Sequence, residues 1–148
     1  GKAVNRLIEL TAGSPFYIQI FCSHLVEYMN KKKVNYVTDA DIEKVKGDLI
    51  RGNNSLDRAK FDNLTAAGDD NTDNISKDDA ETVLRDIANG SRRYQSWCHP
   101  SEITSNTTKS SIDEVLEDLE TRKVIEKDVR HGFRIKVGLF KEWLLENQ

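Results

Sequence analysis

Residues 110–137 read SSIDEVLEDLETRKVIEKDVRHGFRIKV, and this stretch decides the fold. Ser110 or Ser111 opens a helix in which Ile112, Val115, Leu116 and Leu119 recur at helical spacing. The pattern then changes. Residues 124–127 and 133–137 are extended in character, and they flank Arg130, His131 and Gly132, so they predict a β-hairpin whose turn uses Gly132.

Working outward, Ser76 caps an upstream helix that carries Ala80, Val83, Leu84, Ile87 and Ala88 on one face and stops at Asn89 and Gly90. Tyr94 and Trp97 follow, then a short piece made of Pro100, Ser101, Glu102 and Ile103. Helix, short helix, helix and two-stranded wing is the order of a winged helix-turn-helix. Leu139, Phe140, Trp143, Leu144 and Leu145 predict a last helix, and Trp143 is placed in the core of this second half.

The first half is helical wherever periodicity can be tested. Val4, Leu7 and Ile8 form one apolar stripe, ended by Thr11, Ala12 and Gly13. Ser14 stands at the cap of the next helix, with Pro15 at its first position and Phe16, Ile20, Phe21, Leu25, Val26 and Met29 expected to face inward. Lys31, Lys32 and Lys33 close that helix against the negative end of its dipole. Residues 34–37 are read as extended. Thr38 and Asp41 form a capping box for a helix whose buried face is Ile42, Val45, Leu49 and Ile50, broken at Gly52. A further helix is expected from about Leu56 to Ala66, anchored by Phe61 and Leu64, followed by a polar run at residues 69–74.

The expected organisation is therefore mainly α: a helical subdomain over residues 1–52, then a winged-helix domain with a small β-hairpin over residues 53–148, in which 53–75 are a connecting helix and acidic linker. The chain of 148 residues can bury a real core. Its 22 basic and 25 acidic residues, a net charge of -3, exclude a general polyanion-attracting field, so any nucleic-acid contact must be local. Two cysteines 76 positions apart make no disulfide framework, and no apolar run approaches the ~20 residues needed to span a bilayer. A cytoplasmic protein without a membrane partner is the expectation.

Residues 10–19, with Gly13 and Pro15 at their centre, resemble the small helical lid of AAA+ and STAND-type P-loop ATPases, in which a Gly-x-Pro starts a lid helix. Residues 37–42 resemble the entry to the last lid helix. Residues 134–144 are similar to the ending of the winged helix that follows the lid in many such ATPases. The resemblance implies that Gly13, Ser14, Pro15 and Phe16 lie near a nucleotide, that ATP and Mg2+ belong to the full-length protein, and that an upstream ATPase core is a partner. This stretch itself has neither a Gly-x-x-x-x-Gly-Lys-[Ser/Thr] loop nor the aspartate that holds magnesium, so it is expected to be non-catalytic and without a cofactor of its own. Phe16 stands where many lids place a γ-phosphate-sensing arginine.

His24, His99 and His131 lie on separate elements without metal-ligand spacing, so no metal site is expected. Residues 110–123 hold five acids against Arg122 and Lys123, which would repel phosphates from a recognition helix. The wing differs: Lys127, Arg130, Arg134 and Lys136 against Glu126 and Asp128 give it a net charge of +2 and make those four cations the candidate nucleic-acid contacts. The expected role is regulatory, with the winged helix contacting a protein or DNA. A DNA-binding winged-helix protein with a helical domain in front is the competing expectation.

Overall fold

The computed structural model describes residues 1–52, 55–65, 75–92 and 96–148. Its described residues form seven α-helices, two short 3-10 turns and one two-stranded antiparallel sheet, so the chain is mainly helical as expected. The polar run at residues 69–74, together with Ala66, Gly68 and Tyr94, lies outside the described residues.

Contacts divide the chain into two compact units, Gly1–Leu56 with Val137–Trp143, and Asp57–Lys136 with Leu144–Gln148. A boundary drawn along the chain at Gly52 differs from this division chiefly in that Val137–Trp143 belongs with the first unit.

In the first unit, α1 (Lys2–Thr11), α2 (Pro15–Lys32) and α3 (Asp39–Arg51) pack against one another. The best-specified element is α3. Thr38 Oγ1 accepts from Asp41 N while the Asp41 carboxylate accepts from Thr38 N at 3.0 Å, the reciprocal capping box anticipated from the sequence. Ile42, Val45, Leu49 and Ile50 are all buried. Two faces are corrected. Val4 and Ile8 on α1 are 57% and 54% exposed, while Leu10 is fully buried. The cause is Arg6, whose half-buried guanidinium reaches Glu9 at 3.0 Å and Glu43 at 2.5 Å, turning its side of α1 toward α3. On α2 the buried aromatic is Tyr17, with Phe21 and Met29, whereas Phe16 and Val26 are exposed. Residues 34–37 form no strand, only an irregular bend.

Leu56 does not start a helix. Its N–H donates to Leu49 O at 2.7 Å and its carbonyl accepts the Trp143 indole N–H at 3.0 Å, so it finishes α3 instead. The helix expected over 56–66 is therefore a 3-10 turn, Arg58–Phe61, and a single turn α4 (Asp62–Thr65), with Phe61 buried and Leu64 only half-buried. Trp143 belongs to the first unit, not to the second-half core where the sequence reading put it.

In the second unit, α5 (Lys77–Gly90) buries Ala80, Val83, Leu84, Ile87 and Ala88, all as anticipated. It packs on α6 (Ile112–Thr121), which Ser111 and Glu114 open with a second capping box. Strands β1 (Ile125–Asp128) and β2 (Gly132–Ile135) pair antiparallel with Ile125 opposite Ile135 and Lys127 opposite Phe133. Cys98 adds a one-residue bridge to the free side of β2, exchanging backbone hydrogen bonds with Phe133 at 2.7 and 2.9 Å. Gly132, at φ +110, is required there, because a Cβ would overlap the Cys98 carbonyl oxygen. The last helix, α7 (Gly138–Glu146), supplies its first six residues to the first unit and the rest to the second.

Candidate functional site

The turn between α1 and α2 is built from small residues for a steric reason. α1 ends with Ala12 in the left-handed region at φ 53, and Gly13 follows at φ +70. Thr11 steadies the turn: its hydroxyl donates to Leu7 O at 2.8 Å and accepts from Gly13 N at 3.3 Å, and its carbonyl accepts from Ser14 N at 2.9 Å. Ser14 then adopts extended angles, and Pro15 occupies the first helical position, where its missing N–H costs nothing.

The first turn of α2 carries no side-chain cap, because the Ser14 hydroxyl does not bond to it, and it contains no acidic residue. It therefore presents the positive end of an 18-residue helix beside a glycine with open space over its α-carbon. Gly13, Pro15 and Phe16 are exposed and Ser14 is half-buried, so the four residues lie together on the surface. Phe16 packs edge-on against Tyr17, ring centroids 5.0 Å apart, and offers an apolar edge and no charge.

The four wing cations are not equivalent. Arg134 pairs with Glu126 across the strands at 2.5 Å and lies 4.1 Å from the Trp97 ring centroid, a stacked arrangement that commits it to the hairpin's own surface. Lys127 sits 5.8 Å from the Phe133 ring but remains exposed. Arg130 is exposed at the tip and Lys136 half-buried. The tip itself is stapled: Asp128 Oδ1 accepts from Arg130 N at 2.8 Å, from His131 N at 3.1 Å and from His131 Nδ1 at 2.9 Å. Those donors hold the Asp128 carboxyl below its ordinary range, led by the Arg130 N–H. Beside them Val129 is 95% exposed.

On α6, Asp113, Glu114, Glu117 and Glu120 are exposed, and Arg122 is turned inward, pairing with Asp118 at 2.9 Å and donating to Leu64 O at 3.3 Å. The outer face of this helix is thus acidic. No family model, curated protein or solved structure matches the chain.

The remaining chemistry is structural. His24 Nδ1 donates to Ile20 O at 2.9 Å, and His99 Nδ1 accepts from Ser101 N at 3.2 Å, capping the 3-10 turn Pro100–Glu102. Cys98 is fully buried, and burial, with Glu102 and Asp86 nearby, pushes its thiol up to about 11, leaving it protonated and inert at neutral pH. Among the described residues no group of three or more His, Cys, Asp or Glu side chains is arranged to hold a metal ion, and no helix is long and apolar enough to cross a membrane.

The sequence reading missed two carboxylates, Asp79 and Asp86. Asp79 is 1% exposed and accepts from Thr108 N, Lys109 N and Ser110 N at 2.7 to 3.0 Å, which holds its carboxyl at about 2. Asp86 accepts from Thr104 N, Ser105 N and Ser105 Oγ. Their spacing of seven residues, two helical turns, is the signal that could have revealed them.

Proposed function

We propose that this chain is a non-catalytic, C-terminal regulatory region of a P-loop ATPase, in which a helical lid senses nucleotide state and a winged helix makes a protein contact. The observation that carries the reading is the surface-exposed Gly13 to Phe16 turn at an uncapped helix N-terminus, where backbone N–H groups and helix dipole favour a phosphate. An upstream core would supply the phosphate-cradling loop, ATP and Mg2+, and Gly13 would allow the close approach. The absence of an arginine at Phe16 makes the contact one of backbone and shape, not of side-chain charge.

The order α5, 3-10 turn, α6, β1, β2, with the Cys98 bridge as a third strand position, supports the winged-helix part. The acidic outer face of α6 favours a protein partner over DNA, since a helix carrying exposed Asp113, Glu114, Glu117 and Glu120 meets repulsion in a major groove. The wing's Lys127 and Arg130 give the alternative, DNA binding, its one specific support.

Photo-crosslinking of the full-length natural protein with an azido-ATP analogue tests the lid. Label recovered in the peptide holding Gly13 to Phe16, and competed by ATP, is expected. Label confined to other regions of the protein would remove the lid reading.

A further inference from the structure

The eight residues 104–111 contain no Val, Leu, Ile, Met or aromatic side chain. The segment is nonetheless fastened along its length to α5, and the fastening is polar. Asp86 holds the first part through Thr104 N at 3.1 Å, Ser105 N at 2.8 Å and Ser105 Oγ at 2.7 Å. Asp79, two turns earlier on the same side of the helix, holds the second part through Thr108 N at 2.7 Å, Thr108 Oγ1 at 3.0 Å, Lys109 N at 2.9 Å and Ser110 N at 3.0 Å. Ser76 caps α5 outside the segment, whereas Ser111, its last residue, caps α6 with Glu114. A segment fastened by hydrogen bonds and lacking large apolar side chains is a local opening unit.

From this geometry we infer that Thr108 is a phosphoryl-acceptor site whose modification opens the strap. Thr108 is exposed, and its Oγ1–H points at a carboxylate. Transfer from a nucleoside triphosphate by a protein kinase forms the Oγ1–P bond and breaks the bond from the γ-phosphorus to the β–γ bridging oxygen. The nucleoside diphosphate leaves, and the hydroxyl proton is taken by the kinase's own catalytic base. A donor thereby becomes a group of about -1.5 to -2 charge against a buried carboxylate, and repulsion opens the Asp79 half of the strap. The Asp86 half has its own donors and stays closed. This inference stands apart from the ATPase reading.

The test is amide hydrogen exchange on the chain and on Thr108→Glu and Thr108→Val. In Thr108→Glu, exchange at positions 108, 109 and 110 is expected to quicken about tenfold or more, the loss of a charge-assisted hydrogen bond. Thr104 and Ser105, and the α5 core at Val83 and Leu84, keep their protection. Thr108→Val, which retains all three N–H donors, leaves 108–110 protected. Unchanged exchange at 108–110 in the glutamate variant overturns opening by charge, as does simultaneous loss at 104, 105 and the core. Mass spectrometry of the protein from its own cells is expected to find phosphate on Thr108, and an unmodified peptide there overturns the acceptor assignment.

Discussion

Replacing Trp143 by alanine should weaken the first unit. The indole is 6% exposed, lies 25° from parallel to Phe140 with centroids 6.5 Å apart, and donates its N–H to Leu56 O at 3.0 Å. Truncating a buried Trp typically costs about 3 to 5 kcal/mol through lost burial and a residual cavity. An orphaned Leu56 carbonyl adds about 1 to 3 kcal/mol if no water reaches it. The sum is comparable to the whole stability of a small domain, so the unit that contains Trp143 should approach its unfolding midpoint. Trp143→Phe keeps a ring at the site while removing the donor and a smaller part of the volume, so its expected cost is well below that of alanine. Hydrogen exchange resolved by residue is the assay. Amides of Leu10, Phe21 and Leu49 should lose protection before those of Val83, Leu84 and Val115 in the second unit. Earlier loss in the second unit, as the sequence reading implies, would refute the assignment of Trp143 to the first.

Three further outcomes are expected. Acid should destabilise the fold between about pH 4 and pH 2, because Asp41, held at about 2 by Lys32 and by Thr38 N–H, and Asp79, held there by the Thr108, Lys109 and Ser110 N–H groups, both titrate below their ordinary 3.8. A carboxyl lowered in the folded state stabilises above its unfolded value and loses that contribution as pH falls through the folded one, so Asp79→Asn should show a shallower fall in melting temperature over that window. Gly132→Ala should cost about 1 to 3 kcal/mol or more, from positive-φ strain together with overlap on Cys98, read as a lower denaturant midpoint and loss of the β1–β2 cross-peaks in NMR spectra. On immobilised duplex DNA the chain should be retained no better than a neutral protein of similar size; tight retention that falls steeply with salt would favour DNA binding instead.

The elements legible in the sequence were those that carry their own punctuation. α3 and α6 begin with capping boxes, and α5 combines a serine cap with five apolar residues on one face; α3 and α5 buried every expected side chain, and α6 all but Ile112, which is half-buried. The hairpin was legible because Gly132 is the one residue able to take the turn's exit angle beside Cys98. Where the reading failed, the deciding partner was distant in sequence. The inward face of α1 depends on Arg6 meeting Glu43, 37 residues away, and Glu142 at 3.8 Å, so the Val4 and Ile8 stripe pointed the wrong way. α2 has apolar residues on several sides, so periodicity did not choose between Phe16 and Tyr17. Leu56 looked like a helix start but serves α3 and Trp143. Of the candidate sites, the Gly13 to Phe16 cluster follows from local chain geometry. The wing's four cations divided only once Trp97 and Glu126 were seen to hold Arg134.

The start of α2 is proposed to meet a nucleotide. Hydrogen exchange on the full-length natural protein, with and without a non-hydrolysable ATP analogue and Mg2+, measures this directly. Slower exchange across residues 11–20 in the nucleotide-bound state, with α5 unchanged, is predicted. Identical exchange there in both states, while nucleotide is demonstrably bound elsewhere in the protein, would contradict it.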